Sequence, residues 1–135
     1  MVQIDELYRI QKKCMQMLTN SNRKAHAAPL FKQLRLLNVY DINKLQIACF
    51  VYKSMNYLLP HCLTNFFESN NTVHDYNLRN NRNIKLHQST INVRFFSIKC
   101  NGPRIWNDID ISIRDARHVD IFKVKLKPHY LESYI

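Results

Sequence analysis

The stretch 41-DINKLQIACFVYKSMNYLLP-60 decides the fold class. Asp41 is placed to cap a helix, because its short carboxylate can accept from the free N–H groups of a first turn. Pro60 stops that helix, since it has no N–H to continue the ladder. Between them Ile47, Ala48, Cys49, Phe50, Val51 and Tyr52 follow one another with no strongly polar residue among them. A helix apolar on every side belongs inside a core. The pattern predicts a central helix running to about Leu59, with other helices packed around it.

On its N-terminal side two more helices are expected. Over residues 4–18, Ile4, Leu7, Tyr8, Cys14, Met15 and Leu18 share one face at helical spacing, and Arg9, Lys12, Lys13 and Gln16 fall opposite. Asp5 and Glu6 stand in the first turn, where the helix dipole favours acids. Thr19, Asn20, Ser21 and Asn22 then end the helix and leave Arg23, Lys24 and His26 in a basic loop. Pro29 suits the start of a shorter helix whose Leu30, Phe31, Leu34 and Leu37 form one apolar stripe.

Beyond Pro60 the signals weaken. A short apolar piece, 62–67, precedes sixteen residues, 68–83, that carry six Asn, His74, Tyr76, Arg79 and Arg82, and this reads as a long polar loop. Residues 84–86 and 93–100 hold β-branched and aromatic side chains suited to two strands of a small hairpin. Asn101-Gly102-Pro103 reads as a turn before a short helix through Trp106. Ile109, Ile111 and Ile113 alternate with Asp110 and Ser112. A last helix from about Asp120 stacks Phe122 on Leu126, Pro128 limits it, and Tyr130, Leu131 and Tyr134 continue the packing. The expected fold is mainly α, about five helices around a central apolar helix with a small β hairpin in the second half, in a single domain over residues 1–135.

Composition limits function. The chain has 135 residues and one glycine, Gly102, so Gly-rich phosphate loops and dinucleotide fingerprints are excluded. Twenty Lys and Arg against ten Asp and Glu give a net charge of +10, which favours a polyanionic partner, nucleic acid before membrane. Cys14, Cys49, Cys62 and Cys100 form no C-x-x-C pair and read as reduced, buried, intracellular residues, nuclear or cytoplasmic. No secretory signal and no 18-residue apolar run is visible, so no membrane span is expected.

Catalytic constellations are not expected either. Two-metal chemistry needs clustered carboxylates, and the acids here are scattered without an Asp-Asp pair. Cys49, His61 and Cys62 offer zinc-type ligands, but not in the closely spaced pairs that structural zinc uses, and buried cysteine is the preferred reading. The six histidines sit in no nucleophile motif. No cofactor or metal is expected.

Two basic sets remain. Arg9, Lys12 and Lys13, extended by Arg23 and Lys24, have the spacing to follow phosphates along a groove. A solvated helix face is the alternative, and the twofold excess of bases tips the balance toward phosphate. Tyr76, Arg79 and Arg82, with Asn77 and Asn80, combine an aromatic, guanidiniums and amides, the set that stacks bases and bonds phosphates in single strands. An ordinary Asn-rich loop is the alternative there. Trp106 reads as a core anchor rather than a stacking platform.

Several segments in order also resemble a known family. They are His26-Ala-Ala-Pro-Leu-Phe-Lys-Gln-Leu34, the 41–60 stretch with Lys44-Leu45-Gln46 and Val51-Tyr52-Lys53, and His74-Asp75-Tyr76-Asn77-Leu78-Arg79. Phe96-Ser97-Ile98, Asn101-Gly102-Pro103-Arg104-Ile105-Trp106-Asn107 and Phe122-Lys123-Val124-Lys125-Leu126-Lys127 follow. Together with Leu7-Tyr8-Arg9-Ile10-Gln11-Lys12-Lys13, this succession resembles the extreme C-terminal region of reverse transcriptases encoded by non-LTR, LINE-type retrotransposons. The resemblance implies a helical, basic, non-catalytic module downstream of the polymerase thumb that helps to hold template RNA or target DNA. It also implies the upstream thumb and palm as partners, since the palm Phe/Tyr-x-Asp-Asp signature and the endonuclease have no counterpart here. Leu78 stands where the family pattern has a short or polar residue, which removes a hydroxyl from that motif. Such elements are commonly truncated at the 5′ end, so a packing module that docks on the missing thumb, or a remnant with no function of its own, is the alternative implied.

Overall fold

The computed structural model describes residues 2–63, 65–69, 83–87 and 97–134. Among these residues the chain is mainly helical, with six α-helices. They are α1 (Val2–Leu18), α2 (Ala27–Gln33), α3 (Val39–Met55), α4 (Ile98–Asp108), α5 (Ile111–Arg114) and α6 (Val119–Glu132), with a 3-10 turn at His61–Leu63. Contacts divide the chain into two compact units, one of Met1–Leu45 with Lys123–Ile135, the other of Gln46–Phe122.

In the first unit, Met15 of α1, Leu30 and Phe31 of α2, Leu37, and Tyr134 near the C-terminus form a buried cluster, with Tyr8, Leu34, Tyr130 and Leu131 packed against it. Leu30, Phe31, Leu34 and Leu37 thus pack together as expected, as do Tyr130, Leu131 and Tyr134, but α2 opens at Ala27, two residues before Pro29, and ends at Gln33, so Leu34 and Leu37 lie beyond the helix. Gln11 fastens the α2–α3 link to α1, donating from Nε2 to the Leu37 carbonyl at 2.9 Å and accepting the Val39 N–H on Oε1 at 2.9 Å. α6 continues past Pro128 to Glu132, which corrects the expected stop. The missing N–H costs a bond to the carbonyl of Val124, an exposed position where water can replace it.

The start of α3 is also corrected. Asn38, not Asp41, is the cap: its Oδ1 accepts the Asp41 N–H at 2.9 Å, three residues into the helix. Asp41 is buried, and its carboxylate accepts instead from the Tyr134 hydroxyl at 2.6 Å and from Asn38 Nδ2 at 2.8 Å.

The second unit is built on the apolar turns of α3. Ala48, Cys49, Val51 and Tyr52 are buried, in keeping with a helix apolar all round. Tyr52 stacks on Phe122 with ring centroids 4.8 Å apart, and Trp106 lies 5.9 Å from Phe122, so Trp106 is a core anchor. The Tyr52 hydroxyl donates to the Ala116 carbonyl at 2.5 Å. α3 ends at Met55, four residues before the expected Leu59, because Tyr57 takes a left-handed conformation (φ 56) and closes the helix: its N–H bonds the Ser54 carbonyl, and Leu58 N–H bonds that of Lys53.

Gly102 is not in a turn. It lies inside α4, which begins at Ile98 and contains Pro103 as well. Its φ is not positive. The reason for glycine is proximity: a Cβ there would stand 3.0 Å from Cζ of Phe67 and 3.1 Å from Cγ2 of Val51. The expected hairpin is not seen among the described residues. Ile84 makes one isolated antiparallel bridge with Ser69, residues 93–96 lie outside the described residues, and Ile98, Lys99 and Cys100 form the first turn of α4. The Asn107 side chain also holds the Ile84 backbone, accepting its N–H at 3.0 Å and donating to its carbonyl at 2.9 Å. Nor do Ile109, Ile111 and Ile113 form a strand, because Asp110 caps the short α5 by accepting the Ser112 N–H at 3.2 Å. Two of the cysteines depart from expectation: Cys49 and Cys100 are buried, whereas Cys14 and Cys62 are exposed, and no disulfide joins any of the four.

Candidate nucleic-acid interface

α1 presents three faces. Tyr8, Gln11, Met15 and Gln16 turn inward, so the buried side is rotated from the expected apolar face toward the basic one. Gln16, expected among the solvated bases, is buried. Its Nε2 donates to the carbonyls of Arg23 at 3.0 Å and Ala25 at 3.3 Å, which pulls the loop after α1 back against the helix.

The loop itself is set by a left-handed residue. Asn20 (φ 50) sends its N–H to the Met17 carbonyl, and Ser21 sends its own to that of Gln16 at 2.9 Å. This double closure satisfies two carbonyls at the end of α1 and reverses the chain at once. Asn tolerates such a conformation better than most residues because its short polar side chain bonds locally.

These two devices bring four expected site residues together. Arg9, Lys12, Lys13 and Arg23 line one open concavity of about 750 Å3, with Gln16, Met17, Asn20 and Ser21 between them. Among the described residues none of the four cations lies within 4.0 Å of a carboxylate, unlike Lys44, which pairs with Asp41, and Lys85, which pairs with Glu68. Asp5, the carboxylate one turn before Arg9, accepts a hydrogen bond from Tyr40. That bond holds the Tyr40 hydroxyl above the ordinary tyrosine pKa, with partial burial adding to it. Unneutralised cations around a concavity make an anion site, and the amides and hydroxyl of Asn20 and Ser21 add short-range bonding capacity.

Lys24 is exposed and is not among the lining residues. Tyr76, Arg79 and Arg82 lie outside the described residues. Gln16 is the residue that sequence reasoning missed. Its signal was the polar run immediately after the helix, whose carbonyls need a donor. Among the described residues no group of three or more His, Cys, Asp or Glu is placed to hold a metal ion.

No protein-family model, curated protein or solved structure matches this chain. No helix among the described residues is long and apolar enough to cross a membrane. The feature that the described residues assemble from the expected site is the basic concavity on α1.

Proposed function

We propose that this chain is the non-catalytic, nucleic-acid-binding C-terminal part of a LINE-type retrotransposon reverse transcriptase. In this reading it acts inside the cell, in nucleus or cytoplasm, and contributes phosphate contacts to template RNA or target DNA while the upstream polymerase performs the chemistry. The observation that supports it is the gathering of Arg9, Lys12, Lys13 and Arg23 around one concavity without carboxylate partners among the described residues. The ordered sequence motifs supply the family. Binding is sequence-tolerant, because lysine and arginine contacts to phosphate carry position rather than base identity.

Titration of a fluorescent single-stranded RNA at rising salt tests the proposal. Four phosphate contacts on a single strand give a log–log slope near −2.8, so affinity falls roughly 50-fold between 50 and 200 mM salt. An affinity that stays constant over that range removes phosphate contact as the basis of binding.

A second reading is favoured by a separate observation. Leu7, Ile10 and Leu18 of α1 are exposed, which suits a packing module that docks on another protein surface such as the polymerase thumb. Light scattering separates the readings: a monomer that binds RNA supports the first, and a self-associating chain that does not bind RNA supports the second.

A further inference from the structure

The outer face of α1 carries Leu7, Ile10, Met17 and Leu18, which are 54, 58, 81 and 70 % exposed, with the exposed Cys14 among them. At helical spacing these five side chains fall in one stripe about 16 Å long at 1.5 Å per residue. A stripe of four large aliphatic or thioether side chains facing water has the i, i+3, i+7 spacing by which one helix takes another. It contains no aromatic ring, so it does not suit base stacking.

One margin of the stripe is charged. Lys13 and Arg9 run along it, Arg23 and Lys24 follow beyond its C-terminal end, and Glu6 is the single acid on that side, at the N-terminal end. A second copy of the chain fits poorly. Two-fold antiparallel pairing about the middle of the stripe sets Lys13 beside its own counterpart, and each copy brings a net charge of +10. The complementary surface has an apolar seam flanked by carboxylates.

We infer that the outer face of α1 docks an amphipathic helix of another polypeptide whose apolar seam is bordered by Asp or Glu. The inference rests on the docking reading above and specifies the partner chemistry. Because Arg9 and Lys13 serve both the stripe margin and the concavity, an acidic partner seated there also neutralises part of the phosphate-binding set.

Two labelled synthetic helical peptides with the same Leu seam, one flanked by Glu and one by Lys, test the docking by fluorescence anisotropy on the full chain. The Glu-flanked peptide is expected to bind at least tenfold more tightly at low salt. A Leu7→Gln/Ile10→Gln variant, altered only at exposed positions, is expected to lose at least tenfold of that affinity with an unchanged thermal melt and unchanged RNA affinity. An Arg9→Glu/Lys13→Glu variant is expected to reverse the preference between the peptides. Equal binding of both peptides overturns the acidic-partner inference and leaves docking standing, whereas binding of neither removes docking itself. Self-association abolished by Leu7→Gln/Ile10→Gln makes a second copy the occupant and overturns the inference. So does tighter binding to phosphatidylserine vesicles than to the Glu-flanked peptide.

Discussion

The hydroxyl of Tyr134 donates to the carboxylate of Asp41 at 2.6 Å across 93 residues of sequence, and the same oxygen accepts the Asn38 N–H at 3.0 Å. One phenol therefore closes the C-terminal segment onto the first turn of α3. A hydrogen bond to a charged, buried acceptor is worth about 1.5–3 kcal/mol. Tyr134→Phe keeps the ring in its cluster and removes only the hydroxyl, which leaves Asp41 with Asn38 and Lys44 and leaves the Asn38 N–H without its acceptor. Urea unfolding should show a loss of about 2 kcal/mol with an unchanged slope. A loss below a few tenths would mean that the bond is not formed in solution.

The same phenol makes stability depend on alkaline pH. Burial, then the Asp41 bond, holds the Tyr134 hydroxyl well above the ordinary tyrosine value, and burial pushes Tyr52 in the same direction. Raised folded-state values mean that the contribution is complete below the unfolded pKa of about 10 and is lost as pH rises above it, because the unfolded chain ionises first. Thermal melts from pH 8 to 11 should fall above about pH 10, and less steeply in Tyr134→Phe than in the parent. Parallel curves for the two proteins would contradict the assignment.

Much of the fold was legible in sequence wherever side chains argue locally. Residues 47–52 are apolar on all sides, and no arrangement but burial suits such a helix. What was not legible depends on distant partners. Asn38 and Asp41 are equally good caps by type, and the choice between them is made by Tyr134, far along the chain. Gln16 is polar, so periodicity places it outside, yet the carbonyls of Arg23 and Ala25 draw it in. Asn-Gly-Pro reads as a turn because glycine and proline usually punctuate, whereas Gly102 is needed for the closeness of Phe67 and Val51. The basic concavity was half visible: α1 gives the spacing of Arg9, Lys12 and Lys13, but only the Asn20 reversal brings Arg23 to them.

Substitution at Gly102 weighs two effects of opposite sign. Alanine gains about 1 kcal/mol in helix propensity. Its Cβ, however, meets a phenylalanine ring edge at 3.0 Å and a valine methyl at 3.1 Å, and both Phe67 and Val51 are buried with little room to yield. Overpacking of this kind costs about 1–3 kcal/mol. Gly102→Ala should therefore be net destabilising by about 1 kcal/mol in urea, and pairing it with Val51→Ala should recover part of the clash. A stabilised Gly102→Ala would show that α4 can shift away from α3.

The opposite substitution should help at Tyr57. A tyrosine at φ 56 is strained, and its side chain is 77 % exposed, so little burial is lost by removing it. Glycine adopts this conformation without steric cost, and Tyr57→Gly should raise stability by about 0.5–1 kcal/mol despite its extra unfolded-state entropy. Thermal unfolding decides it, and a lower melting temperature would mean that the Tyr57 ring supports α3 in a way its exposure does not suggest.

Gln16 offers the sharpest test of how the concavity is built. If its side chain holds Arg23 in place, Gln16→Leu removes one phosphate contact without removing a charge. The salt slope for single-stranded RNA should then shrink by about 0.7, the amount one contact contributes. Arg23→Gln should shrink it equally, and the double variant should do no more than either single one, because both changes delete the same contact. Additive losses would separate the two residues and show that Gln16 acts on binding by some route other than the Arg23 carbonyl.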